Sequence, residues 1–95
     1  MDLNELRLEL DEIDAELADL FIRRMALSAQ IAEYKLTTGT PVQDSTRERK
    51  VVRRFEDRTG ELFAPYVPYF CRGLFDASKA FQRDYMKEKM EDENG

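Results

Sequence analysis

The chain has 95 residues, a net charge of −5, one cysteine and no histidine. That inventory suits one domain and excludes an internal disulfide, catalytic triads and His-based acid/base chemistry, and it argues against a zinc or other transition-metal site. An acidic total argues against general nucleic-acid binding, no run approaches the ~20 apolar residues that cross a bilayer, and the acidic N-terminus lacks the features of a signal peptide. The expected setting is cytoplasmic, away from membranes. A charged fraction of 37% beside 42% hydrophobic residues, with few Gly and Pro, favours an all-α chain that is helical and oligomeric.

The first predicted element runs from Leu3 to Thr37. Alternating steps of three and four pick out Leu3, Leu6, Leu10, Ile13, Leu17, Leu20, Arg24, Leu27, Ile31 and Tyr34, all apolar except Arg24. A 3.5-residue repeat sustained this long marks a helix packed along a seam. Such a helix spans about 52 Å at 1.5 Å per residue. A compact domain of this size is roughly 30 Å across, so the helix is expected to pack against a second copy of itself. Arg24 in the seam calls for an anion, because guanidinium cannot shed its charge and is costly to bury unpaired.

Thr37, Thr38, Gly39, Thr40 and Pro41 then read as a loop. A second helix is expected from Asp44 or Ser45, with Ser45 and Glu48 spaced as a capping box and Gly60 as a left-handed cap at its end. Pro65 or Pro68 opens a third helix, with Cys71, Leu74, Ser78, Phe81 and Tyr85 on its inward stripe and Gly73 allowing close helix approach. Residues 87–95 form a charged tail expected to fray. No strand signal, repeat or low-complexity segment appears. The economical architecture is one domain over 1–95, with three helices per chain, one very long, in an intertwined homodimer.

Polar residues fall on these inward faces. Arg24, Ser28, Ile31 and Lys35 share one side of the first helix, and Ser78 and Gln82 lie one turn apart on the third. Arg47 and Glu48 follow Asp44 in a first helical turn, where free N–H groups and the helix dipole favour negative charge. Together they describe a helical pocket for a small dianion that carries a hydroxyl. Arg7 lies seventeen residues before Arg24, about 25 Å along a helix. It reaches such a site only from a second, antiparallel chain. Plainer readings exist for each residue. Arg24 can pair with Glu48 or Asp44, Arg7 can snorkel, Lys35 can complement the helix dipole, and Glu48 can serve only the capping box. Ser78 can bond back to its own helix and Gln82 can lie on the surface.

The chain resembles the all-helical chorismate mutases of the small bacterial type. Leu6-Arg7, Ile13-Asp14, Arg23-Arg24, Tyr34-Lys35-Leu36, Pro41-Val42-Gln43-Asp44, Arg47-Glu48-Arg49, Ser78 and Gln82 carry the resemblance in order from about Leu6 to Gln82. Leu62 to Pro68 departs from the family's pattern without touching the polar positions. The resemblance implies a domain-entwined dimer and the rearrangement of chorismate to prephenate, without cofactor, in aromatic amino acid biosynthesis. It implies that Arg24, Arg47, Ser78 and the second chain's Arg7 bind the carboxylates. Lys35 and Gln82 donate to the ether oxygen, and Glu48 with the backbone near Asp44 holds the ring hydroxyl. Two other readings stand beside it. One is an isochorismate–pyruvate lyase. The other is a non-catalytic helical dimerisation or adaptor module, with Arg47, Arg49, Lys50, Arg53, Arg54 and Arg58 as a partner patch rather than a solvated face.

Overall fold

The structure, a computed structural model, describes residues 1–94. Three helices form: α1 at Leu3–Thr38, α2 at Ser45–Thr59 and α3 at Val67–Asn94, with a 3-10 turn at Ala64–Tyr66 before α3. No strand occurs among the described residues. Asp2 starts α1 by accepting from the Glu5 amide at 2.9 Å. Gly39 ends it in the left-handed region, φ 72° and ψ 15°, and its N–H closes on the Lys35 carbonyl. The last turn is further tied by Thr37 and Thr38, whose hydroxyls donate to the Tyr34 carbonyl.

Asp44, not Ser45, caps α2, because its carboxylate accepts from the Arg47 amide at 3.0 Å. Ser45 already lies inside the helix, and the Glu48 side chain is directed elsewhere, so the expected Ser45–Glu48 capping box does not form. Gly60 has a positive φ of 80° but a ψ of 170°, an extended mirror conformation rather than the left-handed helical cap expected of it. Pro65 sits in the 3-10 turn and Pro68 in the first turn of α3, where a missing N–H costs nothing. A Cβ at Gly73 would meet no neighbour, so Gly73 serves no close approach within the chain. α3 continues through 87–94, past the point where the charged tail is expected to fray.

α3 is the hub, since both α1 and α2 pack on it. The apolar core consists of Ala32 from α1, Val51 from α2, and Val67 and Cys71 from α3. Phe55 meets Phe70 at 5.8 Å, and the Tyr85 hydroxyl donates to Glu33 at 2.8 Å, fastening α3 to α1. That hydrogen bond is the main reason the Tyr85 phenol titrates above its ordinary value. Burial raises the Cys71 thiol, the Arg24 charge opposes it and Glu56 adds to it.

The covered face of α1 lies beside the seam and meets it only at Arg24. Ser28 and Ala32 are buried and Arg24, Met25, Ala29, Lys35 and Leu36 are half-buried, whereas Leu27 and Ile31 stay open. From Leu3 to Leu20 every seam residue is exposed, Ile13 at 52%. The molecule measures 58 × 28 × 15 Å with a radius of gyration of 17.0 Å, against about 12 Å for a compact domain of this length.

Candidate active site

The C-terminal half of α1, the loop after it and the middle of α3 converge on a line of hydrogen bonds. Lys35, in the last turns of α1, donates to the Val42 carbonyl at 3.1 Å and to Gln82 Oε1 at 3.1 Å. Gln82, only 5% exposed, donates through Nε2 to Ser78 Oγ at 3.0 Å, and Ser78 shares a 2.7 Å bond with Ser28. Lys35 fixes the orientation of the amide: an ammonium only donates, so the Gln82 oxygen must face it. An ammonium has three N–H bonds and an amide nitrogen two. Each therefore keeps one N–H without a partner among the described residues.

A cavity of about 90 Å³ opens beside this line. Arg24, Val42, Asp44, Glu48, Phe75, Ser78, Lys79 and Gln82 line it. Arg24 is half-buried there, yet the one ion pair among the described residues runs from Lys79 to Glu48 at 3.1 Å. Glu48 and Asp44 thus leave Arg24 without a carboxylate partner, and the internal-acid explanation for that arginine fails. Arg24 also borders an apolar cleft of about 540 Å³ with Asp14, Leu17, Phe21, Phe55, Phe70 and Leu74. The polar cavity alone is smaller than the roughly 300 Å³ at which small-ligand pockets begin.

Of the residues expected from the sequence, Arg24, Lys35, Asp44, Glu48, Ser78 and Gln82 come together. Arg7 and Arg47 do not: both are exposed and neither borders the cavity. Ile31, expected on the same side as Arg24 and Lys35, is exposed at 46%. Ser78 and Gln82 bond to each other and across to α1, so neither is a back-bonded or surface residue. Lys79 escaped the sequence reading. It stands beside Ser78 and one turn before Gln82, but a lysine next to an inward stripe reads as solvated until its carboxylate is located.

Arg24, which has no carboxylate partner among the described residues, and the spare N–H of Gln82 border this cavity together with Val42, Phe75 and Glu48, and Lys35, with its own spare N–H, stands bonded to Gln82 beside it. Chemically, cationic and neutral donors beside a carboxylate suit an anion bearing an ether or carbonyl oxygen and a hydroxyl. Residues 6–83 match the family described as chorismate mutase type II, a span that contains every candidate residue from Arg7 to Gln82. The chain belongs to this family. As a chorismate mutase it is an isomerase. It is 30% identical over 91 residues to the chorismate mutase of Methanocaldococcus jannaschii, covering 90% of this chain and 89% of that one. It is also 30% identical over 85 residues to the T-protein of Haemophilus influenzae, covering 87% of this chain and 22% of that protein's length. No solved structure matches the chain significantly.

Proposed function

We propose that this chorismate mutase rearranges chorismate to prephenate in a site completed by a second copy of the chain, and that it serves aromatic amino acid biosynthesis in the cytoplasm. The observation that carries the reading is the Lys35–Gln82 pair, each with one spare N–H, beside an unpaired Arg24. In the rearrangement one C–O bond breaks as one C–C bond forms, with no proton, electron or group exchanged with the protein. The site has two tasks. It holds the flexible dianion in its compact reactive conformer, an orientation effect. It also stabilises the negative charge that develops on the ether oxygen.

Lys35 and Gln82 supply the second effect. Their mutual bond and the Val42 and Ser78 contacts fix them before substrate arrives, which is what makes such donors effective. Arg24 takes one carboxylate, with Ser78 beside it. Arg47 turns in from the exposed start of α2, and the second carboxylate is met by Arg7 of the partner subunit. Glu48 and the backbone near Asp44 hold the ring hydroxyl. Three features support the second chain: the exposed α1 seam, the small polar cavity of the lone chain, and the ~25 Å that separates Arg7 from Arg24. An antiparallel, two-fold entwined dimer buries the seam and brings Arg7 across.

The test follows chorismate absorbance on adding purified protein, with the product identified as phenylpyruvate after acid treatment. Turnover that disappears in a folded Arg24→Ala variant is expected. A folded wild-type protein that leaves chorismate untouched overturns the proposal, and pyruvate release from isochorismate would then assign it to the lyase reading.

A further inference from the structure

Glu48 is held by more than its own helix. Lys79, on α3, sits 3.1 Å from Glu48 Oε2 and donates to Gln43 Oε1 at 2.8 Å. Gln43, in the loop before α2, donates back to Glu48 Oε2 at 3.4 Å and to Ser45 Oγ at 3.1 Å. The three side chains close a triangle that joins α3, the loop and the first turn of α2. Both contacts to Glu48 fall on Oε2, so Oε1 has no partner among the described residues. Lys79 and Glu48 keep only 17% and 25% of their side-chain surface exposed. Lys79 also stands in the wall between the small polar cavity and an outer groove of about 630 Å³ between α2 and α3.

We propose that Lys79 is a positioning residue: with Gln43 it pins Glu48 Oε2 and aims Oε1 at the substrate hydroxyl, setting discrimination between substrates whose ring hydroxyls differ in place. This rests on the chorismate mutase reading of the site. An ionised carboxylate on a free side chain samples several rotamers, and an acceptor that wanders neither holds a hydroxyl nor rejects a misplaced one. In this proposal Lys79, though it borders the cavity, acts through the Glu48 carboxylate it is paired with rather than by touching substrate. The hydroxyl does not take part in bond making or breaking, so its contact acts about equally on substrate and transition state. Its loss raises KM more than it lowers kcat.

A double-mutant cycle tests this. Lys79→Met is expected to raise the KM for chorismate about tenfold and to change kcat by less than about twofold, the scale of one charge-assisted hydrogen bond. The preference for chorismate over isochorismate should narrow. Lys79→Arg should restore most of the affinity, and Lys79→Gln, a polar variant suited to folding, should repeat the loss. In a Glu48→Gln background, adding Lys79→Met should change kcat/KM by less than about twofold. Equal effects of Lys79→Met in both backgrounds, or a fall in kcat at constant KM, overturn the positioning role while leaving the chorismate mutase reading in place. A folded wild-type protein without turnover overturns both.

Discussion

At the scale of single residues, Gln82 shows how a neutral side chain is committed to one task. Its oxygen is held by Lys35 and one amide hydrogen by Ser78, which leaves one hydrogen for a ligand. A glutamate there has no hydrogen to offer until it is protonated, and Lys35 at bonding distance favours its ionised form. Gln82→Glu should therefore cost at least tenfold in kcat/KM at neutral pH, regain activity as pH falls, and move the optimum downward. An unchanged pH–rate profile would remove Gln82 from the ether oxygen. The inward placement of Gln82 was legible in the sequence because it and Ser78 interrupt an apolar stripe, and that of Lys35 because it shares a side of its helix with Arg24 and Ser28. The Lys79–Glu48 bond was not, since it joins residues of two helices whose packing angle no local pattern encodes. Asp44 as the cap of α2 was half legible: Ser45 and Glu48 imitate a capping box, and the competing carboxylate one residue earlier took the exposed amide.

Among the elements, α3 carries the chain's cohesion, because α1 and α2 meet through it rather than through each other. Cys71 lies at its inner face with no exposed surface, and burial raises its thiol above the ordinary value. The thiolate that reacts with disulfide reagents is therefore scarce and hidden. Cys71 should resist a thiol reagent at neutral pH in native buffer and react stoichiometrically in denaturant, so labelling traces the unfolding curve. Fast labelling of folded protein would contradict the packing of α3 on its neighbours. The bounds of α1 and α2 and the start of α3 were readable to within a residue or two from breakers and periodicity, whereas the end of α3 was not, because the helix runs on through the charged residues 87–94. The function of the α1 repeat was only partly readable. Periodicity marks an apolar stripe without saying what covers it, and here α3 takes the neighbouring face through Ser28 and Ala32.

For the whole molecule, the slender 58 Å shape leaves the seam of α1 uncovered along its N-terminal half. The proposed dimer makes a prediction that no single-chain site shares. Arg7→Ala and Arg24→Ala proteins should each be inactive, yet unfolding and refolding them together should restore about a quarter of wild-type activity. Half of randomly paired dimers are mixed, and each mixed dimer rebuilds one site from the intact Arg24 of one chain and the intact Arg7 of the other. No recovery on mixing would place both arginines in one chain's site or outside it.

The uncovered seam also bears on how much working enzyme a cell obtains from a given amount of protein. If the partner's arginine is needed, an isolated chain contributes nothing to flux. Below the dissociation constant of the pair, the number of paired chains follows the square of their abundance. Halving expression would then leave about a quarter of the activity, whereas well above that threshold the response becomes proportional. The same apolar stripe that completes the site would thus set a lower limit on gene expression beneath which the chain is made but does no chemistry.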